Sequence, residues 1–457
     1  MLCLSASAVA AAIRRKEVSA EELVRACLDR IEAVNPRLNA VVCSSADRAL
    51  EEARAADRAL SRDEKVGALH GVPMTIKDTF DTEGVRSTYG TLGRAEHVPM
   101  RDATVVARLR AEGAILLGKT NTPEMTLSYD TDNRVYGRTH NPYDVTRMPG
   151  GSSGGAVAIV AACGSYFDVG SDLGGSIRLP AHFSGIAGLK PTSGRVPRTG
   201  HFPPPRGVTQ RMVHVGPLAR RVEDLELLLK IIEGPDGKDP FIAPVPLTRS
   251  SDVELSKLRG AFFVDNGIAP PTDETVRVVE ATVAALAGKG ISFEEARPDG
   301  IETTVELHAG LLRGWDGGAQ VRLLLEEAGT SLEETTLSRY LEAPTREPER
   351  LVRLRDRWDR FCRNALAFFD RYDFFVSPVN AFPALRPSEL PDSYPGFSYT
   401  MTQNLTGWPA AVVRAGTSSG GLPIGVQLTA GPWRDDRVIA LAARVEEALG
   451  GWAPPPI

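Results

Sequence analysis

Apolar residues recur at intervals of three and four positions along the first part of the chain, which predicts amphipathic helices. The first helix is expected to carry its apolar face on Leu4, Ala8, Val9, Ala12 and Ile13. A second helix should begin after Ser19, where Glu22 completes a capping box, and run to about Val34. A third helix covers roughly residues 45–60.

The apolar period changes to two near residue 72, which predicts a short strand. Every second residue from Val72 to Ile76 is apolar, and Lys77 stands at the end of this strand. A helix over 103–112, closed by a glycine, then leads into a second strand that ends at Gly118.

Helices and strands stay mixed along the rest of the chain, with proline-rich breaks at 234–246 and 378–396. We expect an apolar helix near 156–162, long helices over about 302–328 and 346–370, strands at 411–414 and 424–429, and a last helix over 435–449. Because no internal repeat is present, this mixture predicts an α/β fold, and no boundary is sharp enough to divide the chain.

Composition and charge exclude several classes of protein. With 457 residues and 42% hydrophobic residues the chain can bury a large core, and a net charge of −5 argues against binding to nucleic acid. The five cysteines form no CxxC pair and the histidines form no HExxH motif, so a thiolate or histidine metal site is not expected. No apolar run is long enough to span a membrane, and the N-terminal charges follow the apolar stretch, unlike a secretory signal; we expect a cytoplasmic protein.

Two motifs match known signatures in an unsuitable context. GAILLGKT at 113–120 fits a phosphate-binding loop, but its central residues predict a strand, so Lys119 is expected to be structural. GGSSG at 150–154 fits the nucleophile elbow of an α/β-hydrolase with Ser152 as nucleophile. No downstream histidine stands in a recognisable catalytic loop, and Pro149 suits a preceding strand poorly. An esterase of this type stays open as an alternative.

Glycine is concentrated around two serine sites. Ten of the 43 glycines lie between Gly150 and Gly188. Such segments let successive backbone amides converge on one point, and the amides of Leu173, Gly174, Gly175 and Ser176 could form an oxyanion hole in this way.

A serine nucleophile also needs a base. Lys77 is a candidate if burial beside Val72 and Ile76 keeps its amine neutral. The alternative is an exposed lysine paired with Asp78, which is the more common situation for a lysine taken alone.

The segments VPMTIKD, PGGSSGGAVA and GSDLGGSIRLPA, in this order and with Ser176 24 positions after Ser152, strongly resemble the amidase signature family. Further stretches that resemble it are GKTNTPEM (118–125), YGRTHNP (136–142), GLKPTSGRVPRTG (188–200), NLTGWPA (404–410) and GLPIGVQLTAGPWRDD (421–436). The resemblance is weakest between about 234 and 395.

The resemblance implies a role for each matching residue. Ser176 would be the acylated nucleophile, Lys77 the base, and Ser152 a serine after a cis peptide bond that relays protons between them. Ser153, Asp172 and Arg178 would fix loops and hydrogen bonds around these groups. For Asp172 and Arg178, a purely structural ion pair is an equally open interpretation.

The resemblance also implies a single large domain with a mixed central β-sheet covered by helices on both faces. Within it we expect N-terminal helices (1–65), a catalytic core (66–233), a variable segment that shapes the substrate pocket (234–395) and a C-terminal return to the core (396–457).

The implied reaction is hydrolysis of a carboxylic amide, or of an ester, through an acyl-enzyme, without metal or organic cofactor. The implied partner is a small-molecule amide, with no nucleic acid or membrane, and a homodimer is left open.

One branch of the family, the A-type component of an amidotransferase, releases ammonia from glutamine for a partner. Leu173 and Leu179 stand where that branch usually has Thr and Gln, which favours a free-standing amidase but leaves the amidotransferase component open as an alternative. Trp315, Trp358, Trp408 and Phe397 are candidates for an acyl pocket, although core packing is the more common role of such residues.

Overall fold

A computed structural model describes residues 1–313, 316–342 and 347–457. The helices are α1 (Ala6–Arg14), α2 (Ala20–Leu38), α3 (Ala46–Ser61), α4 (Thr104–Ala111), α5 (Gly154–Ala161), α6 (Arg178–Phe183), α7 (Val222–Ile232), α8 (Asp273–Ala287), α9 (Thr304–Arg313), α10 (Ala319–Ala328), α11 (Ser338–Leu341), α12 (Pro348–Leu366), α13 (Phe368–Arg371), α14 (Met401–Thr406) and α15 (Asp435–Leu449). The strands are β1 (Val41–Ser44), β2 (Pro73–Lys77), β3 (Ile115–Thr120), β4 (Phe167–Asp172), β5 (Ala187–Lys190), β6 (His214–Ala219), β7 (Arg259–Phe262), β8 (Ser292–Glu295), β9 (Phe374–Pro378), β10 (Ala410–Thr417) and β11 (Pro423–Ala430).

The strands form two sheets. A small sheet has the order β1-β3-β2, with β2 parallel to β3, and an eight-stranded mixed sheet has the order β4-β6-β5-β10-β11-β9-β7-β8. Alternate residues of β10 enter different cores: Ala411 and Val413 pack with α7, α8 and α15, whereas Val412 packs with α5 and α6. Helices therefore cover both faces of the large sheet. The predicted α/β fold, a single large domain around a mixed sheet, is confirmed.

The N-terminal helices follow their capping signals. Ser19 and Glu22 form the predicted capping box of α2, but this helix continues through Pro36 to Leu38, four residues beyond the expected end. The first helix begins only at Ala6, because the side chain of Ser5 caps it. Leu4 therefore precedes the helix and is 41% exposed, so its assignment to the buried face was wrong.

The long helix expected over about 302–328 is instead two helices, α9 and α10. Gly317 and Gly318 have φ values of +61° and +80°, in the left-handed region where an α-helix cannot continue. Several strands of the large sheet, among them β4, β5, β6 and β9, were not predicted. Every residue of these strands is buried, so no alternation of polar and apolar residues marks them.

Lys119 has the structural role expected of it. It lies in β3, and its Nζ donates to Thr82 Oγ1 at 2.9 Å, to Ser87 Oγ at 3.0 Å and to the carbonyl of Phe80. A carboxylate oxygen of Asp78 is 3.9 Å away. Residues 115–120 of this segment thus form a buried strand rather than a phosphate-binding loop.

The fold gathers three chain segments at one place. Lys77 ends β2, the segment that contains Ser152 leads directly into α5, and Ser176 lies between β4 and α6. Within the described ranges, no helix is long and apolar enough to cross a membrane.

Candidate active site

Lys77 is fully buried, and its amine contacts only hydroxyl groups. Nζ donates to Ser152 Oγ at 2.7 Å, to Ser153 Oγ at 3.0 Å and to Ser171 Oγ at 3.2 Å. In the described part of the chain, no carboxylate oxygen lies within 4.0 Å of this amine. Asp78, the partner considered for an exposed Lys77, is close to Lys119 instead. The structure thus places Lys77 inside the protein rather than in a surface ion pair.

This environment changes the protonation of Lys77. Burial lowers the pKa of Lys77 to about 7, although the negative charges of Asp168 and Asp172 oppose the shift. An unperturbed lysine has a pKa of about 10.4. A substantial fraction of the amine is therefore neutral near pH 7, and a neutral amine can accept a proton from a serine hydroxyl.

The segment that contains Ser152 and Ser153 is held from both sides. The peptide bond between Gly151 and Ser152 is cis. The hydroxyl of Thr131 donates to the carbonyl of Gly150 at 2.9 Å and accepts from the amide of Gly154 at 3.2 Å. These contacts fix the loop around the two serines, both of which are fully buried.

Asp172 organises the turn that carries Ser176. Its carboxylate accepts hydrogen bonds from the amide of Gly175 at 2.8 Å and the amide of Ile177 at 3.0 Å. Arg178 donates to the same carboxylate through Nε at 3.1 Å and Nη2 at 3.0 Å. Burial alone would raise the pKa of Asp172, but Arg178 and the other donors hold that pKa well below its usual range. The carboxylate is therefore a permanent anion that closes the turn.

Arg178 connects this turn to the C-terminal part of the chain. Its guanidinium donates to Asn404 Oδ1 at 2.6 Å, Gln403 Oε1 at 2.8 Å and Gln427 Oε1 at 2.9 Å. Asn404 also donates to the carboxylate of Asp172, at 2.9 Å. The pair of Asp172 and Arg178 is thus the centre of a fully buried network, more than an isolated ion pair.

Side chains also fix the peptide planes from residue 172 to residue 175. The carbonyl of Asp172 accepts from Asn404 at 3.0 Å, that of Leu173 contacts His308 Nε2 at 3.1 Å, and that of Gly174 accepts from Thr400 at 2.7 Å. In a trans peptide the next amide points away from the carbonyl, so these contacts also set the amide directions.

Not every amide of the predicted oxyanion hole is available. The amide of Gly175 already donates to Asp172. By contrast, the amides of Leu173, Gly174 and Ser176 have no hydrogen-bond acceptor among the residues that the structure describes. Three of the four predicted backbone amides therefore remain as candidate donors of an oxyanion hole.

Ser152 and Ser176 line one narrow cavity of about 60 Å³, together with Ser171 and Leu173. Ser176 is 6% exposed. The remaining wall is mainly apolar and includes Met125, Leu127, Val213, Leu312, Val321 and Leu324. A second cavity of about 300 Å³ also reaches Ser176, and its lining includes Tyr129, Gly174, His308, Arg339 and Tyr394. Ser176 therefore lies where the two cavities meet, within reach of a molecule bound in either of them.

The comparison with known proteins gives this site its context. The profile of the Amidase family matches residues 22–439, more than nine-tenths of the chain. The chain belongs to the amidase family. The amidase signature resemblance found in the sequence is thereby confirmed.

Several proteins of known function are similar to this chain over its whole length. It is 36% identical to the A-type component of the glutamyl-tRNA(Gln) amidotransferase of Moorella thermoacetica, with 97% of this chain and 96% of that protein aligned. It is 35% identical to "Fatty-acid amide hydrolase 2-B" of Danio rerio (100% and 91%) and 34% identical to "Acylamidase" of Rhodococcus erythropolis (98% and 96%).

Solved structures agree with this grouping. The structure of 6-aminohexanoate cyclic dimer hydrolase complexed with substrate superposes with a TM-score of 0.88 at 28% identity, covering 100% of this chain and 99% of that one. A bacterial aryl acylamidase of the amidase signature family superposes with a TM-score of 0.87 at 27% identity, covering 97% and 96%.

The α/β-hydrolase alternative finds no support in this amidase. The segment 150–153 follows a loop instead of a strand, and the hydroxyl of Ser152 receives its hydrogen bond from Lys77. No histidine hydrogen-bonds to Ser152 among the described residues. The described aromatic residues among those considered for an acyl pocket do not line either cavity at Ser176. Trp358, Trp408 and Phe397 pack in buried apolar clusters, and Trp315 lies outside the described residues.

Sequence reasoning missed several residues of the network. Ser171 contacts the Lys77 amine, and Asn404 and Gln427 hold Asp172 and Arg178. Asn404 and Gln427 lie in the stretches 404–410 and 421–436, which the family resemblance had singled out without assigning roles. Ser171 lies in the segment GSDLGGSIRLPA, to which the resemblance was traced, but no role was assigned to this serine.

The turn at Gly175 gives a first test. Gly175 has a φ of +120°, and a Cβ added there would be 2.4 Å from Thr400 Oγ1, so G175A must displace either the turn or Thr400, which holds the carbonyl of Gly174. We expect G175A to lower kcat/KM by about 100-fold, the scale of effect that a displacement of about 1 Å produces.

The control is G421A, at a φ of +78° with nothing within 4 Å of the added Cβ. It should lower the free energy of unfolding by about 1–2 kcal/mol through backbone strain and leave kcat/KM within about twofold. Equal activity of both variants would contradict the role given to the turn.

Proposed function

We propose that this protein hydrolyses carboxylic amides, and esters, through an acyl-enzyme on Ser176, with Lys77 as the base and Ser152 as the proton relay. The observation that carries the proposal is the buried amine of Lys77, 2.7 Å from Ser152 Oγ, beside a cavity that Ser176 also lines. Hydrolase relatives that act on amides, such as the acylamidase, support the reaction class.

In the proposed acylation, neutral Lys77 takes the proton of Ser152 while Ser152 takes the proton of Ser176. Ser176 Oγ then bonds to the carbonyl carbon of the amide, and a negative charge develops on the carbonyl oxygen. As the carbon–nitrogen bond breaks, the proton passes back through Ser152 to the leaving nitrogen, and the amine departs. Water then repeats these steps on the acyl-serine, which releases the acid and restores Ser176.

The amides of Leu173, Gly174 and Ser176 are the proposed donors to the developing oxyanion. One such donor typically contributes about 3–4 kcal/mol to transition-state stabilisation. Asp172, Arg178 and Ser153 would not take part in bond making. The first two keep the turn closed, and Ser153 accepts a hydrogen bond from Lys77 at 3.0 Å and so orients its amine.

The expected division of the chain forms part of this proposal. The segment 66–233 supplies Lys77 and both serines, and the segment 234–395 supplies cavity residues such as Val321 and Leu324. The segment 396–457 holds the turn through Asn404, and 1–65 forms the N-terminal helices. The apolar wall from 234–395 and Leu173 favour an amide with an apolar acyl or amine group.

An amidotransferase A-type component is the second candidate, because the relative from Moorella thermoacetica is 36% identical along the full length. That function would require glutamine as the substrate and a partner protein for the ammonia. Leu173 at the cavity favours an apolar substrate over glutamine. Neither candidate requires a metal, and no group of three or more potential ligands for one occurs within the described ranges.

The proposed base predicts a pH dependence. Because only the neutral amine accepts a proton and the pKa of Lys77 is about 7, kcat/KM for an uncharged amide should rise with pH through a midpoint near 7 and then level off. Measurement of kcat/KM from pH 5 to 10 checks this. K77R should be inactive throughout, because its guanidinium keeps its proton; a flat wild-type profile would contradict the proposal.

The nucleophile can be identified by covalent labelling. A fluorophosphonate probe followed by peptide mass spectrometry should modify Ser176. S176A should abolish the modification, and S152A should slow it without moving it to another residue. Modification of Ser152 in the wild-type protein would instead support an esterase of the α/β-hydrolase type.

The cavity predicts a preference for longer acyl chains. On a series of p-nitroanilides from acetyl to decanoyl, kcat/KM should rise by about tenfold or more by hexanoyl, because each buried CH₂ contributes about 0.8 kcal/mol and two buried groups already correspond to about tenfold. L324A should weaken this preference because Leu324 lines the cavity, whereas L323A, at a neighbouring position that is 45% exposed, should not. Hydrolysis of glutamine but of none of the anilides, and only when a partner protein is present, would favour the amidotransferase component.

A further inference from the structure

A single buried carboxylate joins the two sheets beside the proposed base. Asp168 lies in β4 of the large sheet, and its Oδ1 accepts from the backbone amide of Lys77 at 2.9 Å. Its Oδ2 accepts from the hydroxyls of Thr75 at 2.7 Å and Thr120 at 3.0 Å. Thr75 and Lys77 belong to β2, and Thr120 to β3, both in the small sheet. Asp168 therefore connects the strand of the base to the strand that leads to the nucleophile.

β2 and β4, the two strands that Asp168 connects, end at the proposed base and at the turn of the proposed nucleophile, so their ends must stay aligned. β2 ends at Lys77, and β4 ends at Asp172, which closes the turn of Ser176. Gly170, two positions after Asp168 and on the same face of β4, approaches the site so closely that an added Cβ would be 2.8 Å from Ser153 Oγ. The face of β4 that carries Asp168 is thus packed against the base and its serines.

The contacts of Asp168 favour its charged form. A backbone amide can only donate, so Oδ1 accepts from Lys77, and two hydroxyls are placed to donate to Oδ2. Burial raises the pKa of Asp168 to about 7 even though these hydrogen bonds oppose the shift, so the carboxylate carries its full charge only above that pH. In the charged form, the carboxylate stabilises the ammonium form of Lys77 by Coulomb attraction.

Of the two carboxylates that act on Lys77, Asp168 is the one without an ion-pair partner within 4.0 Å in the described part of the chain, although its charge also acts on Lys119. Asp172, on the same strand, is neutralised by Arg178. His201 lines the cavity, and burial lowers its pKa to about 3, so it is uncharged at neutral pH. Lys119, in β3, has Asp78 as its nearest carboxylate, 3.9 Å away.

We propose that Asp168 is a positioning residue for the base: it fixes the end of β2 against the strand of the nucleophile, and its negative charge keeps the amine of Lys77 from losing its proton too readily. The proposal rests on the function proposed above for Lys77. Asp168 does not line either cavity at Ser176, so it would act through Lys77 rather than on the substrate.

The pH profile of Asp168→Asn tests the charge. Asn keeps an oxygen for the amide of Lys77, and its NH₂ group can donate to the threonine hydroxyls, so the geometry is preserved while the charge is removed. Without that charge the ammonium form of Lys77 is less stable. We expect the midpoint of the kcat/KM profile to move to lower pH by about half a unit or more, with the plateau within about tenfold of wild type.

Two further variants separate charge from position. Asp168→Leu removes the connection as well, and should lower kcat by about 100-fold with little change in KM, because the cavity walls are untouched. Asp168→Ser is a second neutral variant with the same expected direction of the midpoint, in case D168N does not fold.

The matched control is Asp224→Asn. Asp224 is a buried carboxylate that accepts from the amides of Ala6 at 2.8 Å and Ser7 at 2.9 Å at the start of α1, away from the site. D224N should leave the midpoint unchanged. An unchanged midpoint in D168N and D168S, or an equal shift in D224N, would overturn the inference. Retained activity in K77M would instead overturn the proposed function, so the two failures are distinguishable.

Discussion

The proposed chemistry depends on one constraint, the burial of the amine of Lys77 among three serine hydroxyls without a carboxylate in direct contact. A carboxylate at hydrogen-bond distance would keep the amine charged and useless as a base, and full solvation would do the same. The hydroxyls satisfy its hydrogen bonds in either protonation state, because a hydroxyl can both donate and accept. Glycines and a cis peptide bond bring two of these serines to the amine, and β4 brings the third.

The two carboxylates of the site do not contact the amine of Lys77 and instead fix the backbone around it. Asp172 is bound by Arg178 and backbone amides and closes the turn of Ser176, and Asp168 connects the two sheets at Lys77. Both are buried and both accept several hydrogen bonds, but only Asp172 also has an arginine partner. Arg178 holds the pKa of Asp172 well below its usual range, whereas burial raises the pKa of Asp168 to about 7. The same arrangement explains why the C-terminal part of the chain belongs to the site: Asn404 in α14 and Gln427 in β11 supply the amide groups that complete the network.

The sequence predicted the elements that carry local signals and missed those that are specified only by packing. The third helix and α15 lie within one residue of their predicted bounds, because their amphipathic spacing defines them. Strands such as β5 and β6 are buried on both faces and carry no period. Lys77, Ser152 and Ser176 came from motifs with fixed order and spacing, and the structure brings all three to one place. Asp168 gave no signal, since its contact with Lys77 joins residues 91 positions apart. Asn404 lies in a stretch that the resemblance singled out, but its role was not predicted because its partner Asp172 is 232 positions away. The residues of α10 that line the cavity were also not predicted, because their position depends on the break in the helix at Gly318.

The most direct test of the account is the titration of the Lys77 amine itself. The chain has only nine lysines, so a protein labelled with ¹³C at the lysine ε-carbon gives a simple NMR spectrum, and the K77M variant identifies the Lys77 signal by its loss. This signal should titrate with a midpoint near pH 7 in the folded protein. A midpoint near the ordinary lysine value of about 10.4 would contradict it, because the amine would then be charged whenever the enzyme works.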